Sequence, residues 1–494
     1  MERFRRRGRG CNPLALTVTT TARGGNGGTF GADARRIRQS VIGGFKPETS
    51  SVYHAGVRAV FRSQVVTFAV LVVGAVVAAS IVGSVAFTPT HPTTALRQPS
   101  DLSLAISIHY TFPVGKSPDG AAYDSTNFDV YVSNENSNNV TVVSSVTHTA
   151  SSITVGKNPA DVVFDSTNGD LYVPNTNSSN VSVISNANKV IANPALSKGA
   201  KPAAAYVDPA NGDVLVTNAS SYPKDDVAWL IGSSTNTATK ITLGLGFAEP
   251  VSYNPSSEDL YVANEISDTL SAISTSGTVT SVALAGTPGF PTADPATGDL
   301  LVPLVPTSLK ANASIEVLSS TNTLVTTIKV PGVSDIESPL SAYDPFDHDV
   351  YLVGFSYSKN ASVAVIVSSS NTIAATIVLK KGISDLFPFY DPANGDVYLT
   401  AGTKNVTVLN LTKLLKTLKV AQPVDFMVYD PTLKDMVGAG DVNLTTKSTL
   451  YFISSGNALK SIAVGKDGIA FLYDPKDTYV WVLNLGSADL QLVG

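Results

Sequence analysis

From residue 106 to the last residue, short apolar runs alternate with clusters of turn residues. Runs such as ADVVFD, GDLYVPN and NVSVIS are six or seven residues long and rich in Val, Ile, Phe and Tyr. Gly, Pro, Asn, Asp and Ser separate one run from the next. β-Branched and aromatic residues bounded by turn residues are typical of β-strands. The pattern therefore predicts an all-β region of many short strands.

The strands recur with a regular period. The decapeptide YDPANGDVYL at 390–399 has eight relatives along the chain, each with an Asp or Asn before a turn and a second strand after it. These nine anchor residues are Asp124, Asp165, Asp208, Asn254, Asp294, Asp344, Asp391, Asp430 and Asp474. Their spacings run from 39 to 50 residues, and each period contains four predicted strands. Such a period predicts a β-propeller with one four-stranded blade per repeat.

The anchor sequence has a mechanical interpretation as a hairpin. Asp ends the first strand and accepts hydrogen bonds from its own turn, Pro presets φ, and Asn-Gly supplies the positive φ that leads into the second strand. A calcium loop of the EF-hand kind needs oxygen ligands at positions 3 and 5 and a Glu at position 12. In DPANGDVYLTAG those positions hold Ala393, Gly395 and Gly402. The pattern favours a structural turn over a metal loop.

The number of strands predicts how the ring closes. The ninth repeat contains only three strands, FLYDP, YVWVLN and ADLQLVG, whereas residues 106–115 add an isolated strand, ISIHYTFPVG, before the first repeat. The isolated strand supplies the missing outermost strand of the ninth repeat. We therefore expect one nine-bladed propeller closed by its N-terminal strand; a smaller ring with leftover blades is the alternative.

Three segments resemble the repeats of YVTN-family β-propellers. LYVPNTNSSNVSVIS (171–185), VYVSNENSNNVTVVS (130–144) and LYVANEISDTLSAIS (260–274) each contain a Tyr-Val strand, an Asn-rich turn and a Val-Ser-Val-like strand. The resemblance covers about residues 106–494 and weakens in the later repeats. It implies a propeller of the membrane-anchored surface type, and it supports a surface location more than any activity.

The N-terminal region predicts a membrane anchor. Residues 65–87, VVTFAVLVVGAVVAASIVGSVAF, contain no charge over 23 residues, and as a helix they would extend about 34 Å, enough to span a bilayer. Residues 1–62 hold 12 Lys and Arg against three acidic residues, whereas the remainder holds 22 against 36. This asymmetry predicts a cytoplasmic N-terminus and an extracellular propeller. A cleaved signal peptide, with Ser84 and Ala86 at the cleavage site, is the alternative.

The predicted organisation has four parts. They are a basic disordered cytoplasmic tail (1–64), the transmembrane helix (65–87), a Thr/Pro-rich stalk (88–105) and the propeller (106–494). The arginine- and glycine-rich tail resembles some nucleic-acid-binding segments, but its charge is also what membrane orientation requires, so no nucleic-acid partner is expected. Cys11 is the only cysteine, so the propeller contains no disulfide.

Residue types for catalysis are few. Three histidines, His109, His148 and His348, lie in the repeats, the first two on predicted outermost strands and the third in a hairpin. Neither G-x-S-x-G nor H-E-x-x-H occurs. The sequence leaves enzyme activity open and favours a non-catalytic role.

Nine N-x-S/T sequons follow the membrane segment and are candidate glycosylation sites. They are Asn139, Asn177, Asn180, Asn218, Asn312, Asn360, Asn405, Asn410 and Asn443. Several fall in the turn before the third strand, where the repeat itself requires Asn, so the sequons also have a purely structural explanation.

A carboxylate precedes seven of the nine anchors by four to seven residues. These residues are Asp119, Asp161, Glu249, Glu337, Asp385, Asp425 and Asp467. If the first strands line the channel, the carboxylates would form an acidic rim for Ca²⁺ or a basic partner; the alternative is that each caps its own loop. No other metal or cofactor is expected.

The sequence as a whole predicts a binding, adhesion or envelope-interaction scaffold anchored in the cell membrane. Its expected partners are a surface protein, a glycan or an envelope component. The alternative is an extracellular propeller enzyme resembling lactonases or dehydrogenases, which would need an acid–base pair or metal ligands at the channel mouth.

Overall fold

Strands form all the regular secondary structure in the described part of the chain. A computed structural model describes residues 106–218, 227–306, 308, 311–336, 341–381, 387–440 and 445–494. The chain forms 37 strands within these residues, grouped into nine sheets.

The strands up to the third blade are the following. β1 spans Ile108–Pro113; blade 1 contains β2 (Pro118–Asp124), β3 (Asp129–Asn134), β4 (Asn139–Ser144) and β5 (Thr149–Thr154); blade 2 contains β6 (Val163–Asp165), β7 (Asp170–Asn175), β8 (Asn180–Ser185) and β9 (Lys189–Ala192); blade 3 contains β10 (Pro202–Val207), β11 (Val214–Asn218), β12 (Val227–Ile231) and β13 (Ala238–Thr242).

The next three blades follow the same plan. Blade 4 contains β14 (Phe247–Asn254), β15 (Asp259–Asn264), β16 (Thr269–Ile273) and β17 (Val279–Ala283); blade 5 contains β18 (Thr287–Pro288), β19 (Thr292–Ala293), β20 (Leu300–Val305), β21 (Ala313–Leu318) and β22 (Leu324–Val330); blade 6 contains β23 (Ala342–Asp344), β24 (Asp349–Ser356), β25 (Ala361–Ser368) and β26 (Thr372–Lys381).

The last three blades complete the ring. Blade 7 contains β27 (Phe387–Asp391), β28 (Asp396–Thr400), β29 (Thr403–Asn410) and β30 (Lys413–Val424); blade 8 contains β31 (Phe426–Asp430), β32 (Asp435–Ala439), β33 (Lys447–Ser454) and β34 (Leu459–Lys466); blade 9 contains β35 (Gly468–Asp474), β36 (Tyr479–Asn484) and β37 (Asp489–Val493).

The N-terminal strand closes the ring as the sequence predicts. Each blade is an antiparallel sheet whose strands pair in chain order, and the ninth sheet has the order β1-β37-β36-β35. In this sheet Ile108 pairs with Val493 and Pro113 with Asp489. Blade 9 therefore takes its outermost strand from one end of the propeller and its other three from the other end.

Nine apolar clusters fill the space between blades, one for each pair of neighbours. The cluster between blades 3 and 4 contains Leu215 and Val262, and the cluster between blades 9 and 1 contains Phe112, Val130 and Trp481. Nine interfaces for nine blades mean that every blade packs against two neighbours. The ring is closed.

The position of a strand within its blade explains why some strands are apolar throughout and others are largely polar. The middle strands lie between neighbouring blades and are covered on both faces, so that β3 is buried along its whole length. In the outermost strand β5 only Ile153 is buried. This is why second and third strands are nearly continuous apolar runs, whereas outermost strands are rich in Thr, Ser and Lys.

The anchors form the predicted hairpins. All nine are buried, and each accepts, through its side-chain oxygen Oδ1, a hydrogen bond of 2.7–3.0 Å from the backbone N–H two residues later. The fourth residue after every anchor has a positive φ. Four blades have glycine there and five do not.

Blade 5 departs from the pattern. Its innermost strand is broken into β18 and β19, which both pair with β20. Pro288 ends β18 and Pro291 precedes β19, and a proline cannot donate to the strand ladder.

Strand direction gives the propeller two distinct faces. The hairpin face contains the turns from first to second strand and from third to fourth strand. The crossover face contains the turns from second to third strand and the connections between blades. Because β1 is an outermost strand, its first residue, Ile108, lies at the hairpin face, where the Ser107 N–H donates to the Gly494 carbonyl at 2.9 Å.

The predicted tail, transmembrane helix and stalk lie outside the described residues. Within the described part of the chain, no helix is long and apolar enough to cross a bilayer.

Candidate functional site

The first strand of each blade lies at the edge of its sheet, and the first strands of most neighbouring blades contact one another. Of the seven carboxylates predicted to form an acidic rim, Asp119, Asp161, Asp425 and Asp467 lie at the start of these strands, on the crossover face. Glu337 and Asp385 lie outside the described residues, and Glu249 belongs to β14 without a described side chain. The surroundings of the side chain are therefore described for four of the seven carboxylates.

Asp119 is the second residue of β2 and is half-buried. Desolvation raises the pKa of its carboxyl group to about 7, and repulsion from the Glu135 carboxylate adds to the shift. Glu135 itself is exposed in the turn after β3. The two carboxylates form an acidic pair on the crossover face.

Asp161 is part of the junction between blades. It is 1% exposed; its Oδ1 accepts from the Val162 N–H at 2.8 Å and its Oδ2 from the Ala205 N–H in blade 3 at 3.3 Å. A Cβ on Gly120 in blade 1 would lie 2.8 Å from Oδ1. The side chain thus contacts three consecutive blades.

Asp425 and Asp467 also occupy blade junctions. The Asp425 side chain lies against Gly402 and Gly440, and its backbone N–H donates to the Ala439 carbonyl at 3.0 Å. Asp467 is 5% exposed and its carbonyl accepts from the Leu485 N–H at 3.0 Å. Asp425 and Asp467 thus bond through their backbones at these junctions, whereas the Asp161 carboxylate accepts hydrogen bonds from two blades.

No group of three or more His, Cys, Asp or Glu suited to a metal ion occurs among the described residues. Because three of the seven predicted carboxylates lack a described side chain, the acidic rim stays a prediction.

A second set of carboxylates, which we did not assign as a site from the sequence, gathers on the hairpin face. Each anchor is followed five residues later by another Asp in all blades but the ninth. Desolvation, with repulsion from neighbouring carboxylates, raises the pKa of Asp208, Asp349 and Asp435 to about 6. The repulsion also acts between blades, because the Asp259 carboxylate of blade 4 contributes to the raised pKa of Asp208 in blade 3.

Tyrosines lie beside these carboxylates of the hairpin face. Desolvation raises the pKa of Tyr343 and Tyr429 to about 12, and the anchor of the preceding blade, Asp294 or Asp391, adds to the shift. The repeat motif YDP thus places a neutral phenol beside the carboxylate of the blade before it.

Asparagines at the turn before the fourth strand link neighbouring blades, and we call each of these contacts an asparagine latch. Asn188 of blade 2 accepts from the Tyr131 hydroxyl at 2.5 Å and donates to Asp129 Oδ2 at 2.9 Å, both in blade 1. Asn322 and Asn457 make the same pair of contacts to blades 4 and 7. The motif Asp-x-Tyr in the second strand is therefore half of an interblade contact.

His148 takes the latch position between blades 9 and 1. It lies in the turn before β5 rather than on the strand, its φ is +52°, and its Nε2 is 3.1 Å from Asp477 Oδ2. Its ring stacks on Tyr110 with centroids 4.0 Å apart. His109 lies on β1 as predicted, and His348 lies in a hairpin near the Tyr343 hydroxyl.

The sequons differ in access. Asn177, Asn312 and Asn360 are exposed, Asn139, Asn180, Asn218, Asn405 and Asn410 are half-buried, and Asn443 lies outside the described residues. Asn139 and Asn410 donate through Nδ2, the atom that would carry a glycan, to Ser152 Oγ at 2.8 Å and Asp396 Oδ1 at 2.7 Å. Asn312 instead accepts, from the Gly332 N–H at 2.9 Å. Glycosylation itself stays a prediction.

No family model and no curated protein matches the sequence. Among solved structures, the Dos1 propeller has a TM-score of 0.49 at 10% identity, covering 72% of this chain and 95% of that chain. Dihydro-heme d1 dehydrogenase NirN has a TM-score of 0.46 at 14% identity, covering 63% and 67%. Virginiamycin B lyase from Staphylococcus aureus has a TM-score of 0.36 at 11% identity, covering 60% and 96%. At these values the similarities indicate no function, and the chain's own nine sheets define it as a nine-bladed β-propeller; the likeness to YVTN repeats remains one of sequence alone.

Proposed function

We propose that the chain is a membrane-anchored binding scaffold whose propeller is displayed outside the cell. The observation that carries this proposal is that the polar residues of the repeat motif are engaged in hydrogen bonds inside the propeller. Anchor Asp, second-strand Tyr and turn Asn make hydrogen bonds within or between blades, so the motif builds the scaffold. Binding then belongs to residues that differ from blade to blade.

The crossover face is the binding face in this proposal. Both ends of the ring meet at the hairpin face, so a chain arriving from a membrane anchor at 65–87 reaches the propeller on that side. The crossover face is then directed away from the membrane. A surface protein, a glycan or another envelope component can approach it.

Side chains on this face suit cations and hydroxyl-rich ligands. Glu135 Oε1 accepts from Asn158 Nδ2 at 3.1 Å, and Lys201 Nζ donates to Asn177 Oδ1 at 2.7 Å. Asn177 in turn donates to Asn158 Oδ1, which joins the four residues into one chain across blades 1 to 3. Carboxylate and amide groups bind Ca²⁺, ammonium groups and sugar hydroxyls.

Calorimetry on the propeller tests this face. We expect Ca²⁺ or a lysine-rich peptide to bind, and Asp119→Asn with Glu135→Gln to weaken that binding because the acidic pair is lost. Glu258→Gln is the matched control, since Glu258 is exposed on the hairpin face. Absence of binding heat for both probes, or equal loss in the control, would remove the acidic pair from the proposal.

The alternative of a lactonase- or dehydrogenase-like enzyme gains no support from the side chains of the described residues. His109, His148 and His348 lie at the rim or in a hairpin rather than together at the channel. We therefore propose no catalytic residues.

A further inference from the structure

Exposed apolar side chains occur on four consecutive blades of the rim. Thirteen large hydrophobic residues are exposed in the described chain, and seven of them lie on blades 7, 8, 9 and 1 at the hairpin face. We call this set the apolar arc: Leu411, Leu414, Leu415, Leu459, Ile108, Tyr110 and Val146.

The arc follows the ends of the outermost strands. Leu414 and Leu415 are at the start of β30, Leu459 starts β34 and Ile108 starts β1. In β30, Leu409 pairs with Leu414 and Val408 with Lys416, so Leu415 is an extra, bulged residue. The bulge leaves two adjacent leucines 51% and 53% exposed.

Lysines lie beside the leucines on β30 and β34, but none occurs on β1 or β5. The nine outermost strands contain ten lysines and no Asp or Glu, and Lys413, Lys416 and Lys419 are all exposed on β30. Lysine alone on an edge strand prevents edge-to-edge pairing. Exposed leucine pairs have no such use, and a solvent-facing surface would disfavour them.

The chain enters the propeller in the middle of this arc. Ile106 packs against the cluster between blades 8 and 9, with blade 7 beyond it on one side and blade 1 on the other. Residues 88–105 are 18 residues, which span at most about 60 Å. A membrane anchor at 65–87 would therefore keep the arc within reach of the bilayer surface, because the linker joins the propeller on the face that contains the arc.

We propose that the apolar arc docks onto the surface of an anionic lipid bilayer. The leucines and Tyr110 insert among the headgroups, and the β30 lysines contact lipid phosphates. The orientation rests on the proposed anchoring. The carboxylates of the hairpin face are repelled by the same lipids, so contact is confined to the rim and the propeller tilts.

Vesicle flotation of the propeller, residues 106–494, tests the docking without the anchor. All nine blades and all nine interfaces lie within these residues, so the fragment contains the whole closed ring. We expect flotation with vesicles of phosphatidylcholine and phosphatidylglycerol and not with phosphatidylcholine alone. Raising the salt concentration should weaken it.

The leucine pair provides the decisive variant. Leu414→Ser with Leu415→Ser should lower the apparent affinity at least about tenfold, because apolar area and bilayer contact are lost together. Leu324→Ser with Val325→Ser, at the corresponding position of blade 5, is the matched control and should leave flotation unchanged.

Three results would overturn the docking proposal: no flotation with anionic vesicles, equal loss in the blade 5 control, or lipid-free self-association that the leucine substitutions abolish. The last result would assign the arc to contact with a second copy. Each leaves the anchor proposal standing, because the fragment does not contain residues 65–87.

Discussion

Lys434 has a φ of +57° at the hairpin position where Gly395 has +75° in the preceding blade. A positive φ brings Cβ close to the following carbonyl, which costs roughly 1–2 kcal/mol in any residue but glycine. The repeat tolerates this cost in five blades because neighbouring strand pairs determine the turn.

A reciprocal exchange measures that cost. Lys434→Gly should raise the free energy of unfolding by about 1 kcal/mol, and Gly395→Lys should lower it by a similar amount. A Cβ on Gly395 would meet nothing within 4 Å, so backbone strain is the only expected cause. Chemical denaturation of the propeller provides the values; equal signs for the two variants would contradict the argument.

The asparagine latch is the second residue-scale contact that can be tested. Asn188→Ala should lower the free energy of unfolding by about 1–3 kcal/mol, because Tyr131 and Asp129 lose a buried partner. Asn188 has a φ of +58°, so Asn188→Gly separates loss of the side chain from backbone strain. Because glycine also relieves the positive-φ strain, a glycine variant more stable than the wild type by about 1 kcal/mol would mean that the latch contributes nothing.

Carboxyl groups with raised pKa values predict a pH dependence. The folded pKa of Asp435 is about 6 against 3.8 for the free residue, so the folded state holds the proton more tightly. Stability contributed by the protonated form is complete below pH 3.8 and is lost as pH rises through 6. Asp208 and Asp349 act in the same direction.

We therefore expect the melting temperature to fall as pH rises from about 4 to about 7. Asp435→Asn should raise the melting temperature at pH 7 and reduce the slope, because the variant keeps the shape of the side chain without the charge. Thermal denaturation across this range checks both results. A rising melting temperature would show that other groups dominate.

At the scale of the element, β1 carries the closure of the ring. It covers the edge of β37, and its Phe112 is 9% exposed in the cluster with Trp481. Ile106 adds to the cluster on the other side of blade 9. The segment 106–113, which contains β1, thus contributes to two blade interfaces.

Comparing fragments 106–494 and 116–494 tests this role. The shorter one lacks β1 and should melt at a lower temperature and aggregate, because it exposes an unpaired strand edge and two apolar clusters. Light scattering during thermal denaturation measures both effects. Superimposable melting curves would mean that β1 is dispensable.

For the whole molecule, the proposed topology makes a prediction about intact cells. Protease added outside should remove the propeller from the full chain and spare residues 1–64, because the positive charges hold the tail in the cytoplasm. An epitope placed at each end distinguishes the two products in a blot. Loss of the N-terminal epitope with survival of the propeller would invert the model.

The strands, the hairpins, the nine repeats and the way β1 completes blade 9 can all be predicted from the amino-acid sequence. These features depend on local properties: alternation of apolar and polar residues, turn residues with particular φ values, and a count of strands per period. The positive φ after the anchor was predictable in the three repeats that contain Asn-Gly, but not in the five with another residue, such as Phe128 or Thr478. At these two residues the hydrogen bonds between the flanking strands impose a positive φ that the residue itself disfavours.

The contacts of the polar residues, in contrast, emerge only from the folded ring. Asp161 touches three blades, Asn188 meets a tyrosine 57 positions away, and His148 meets Asp477 across the closure. The apolar arc likewise joins Leu415 to Ile108 through the order of blades in the ring. Such contacts depend on curvature and closure, which arise from packing between sheets and leave no local pattern in the chain.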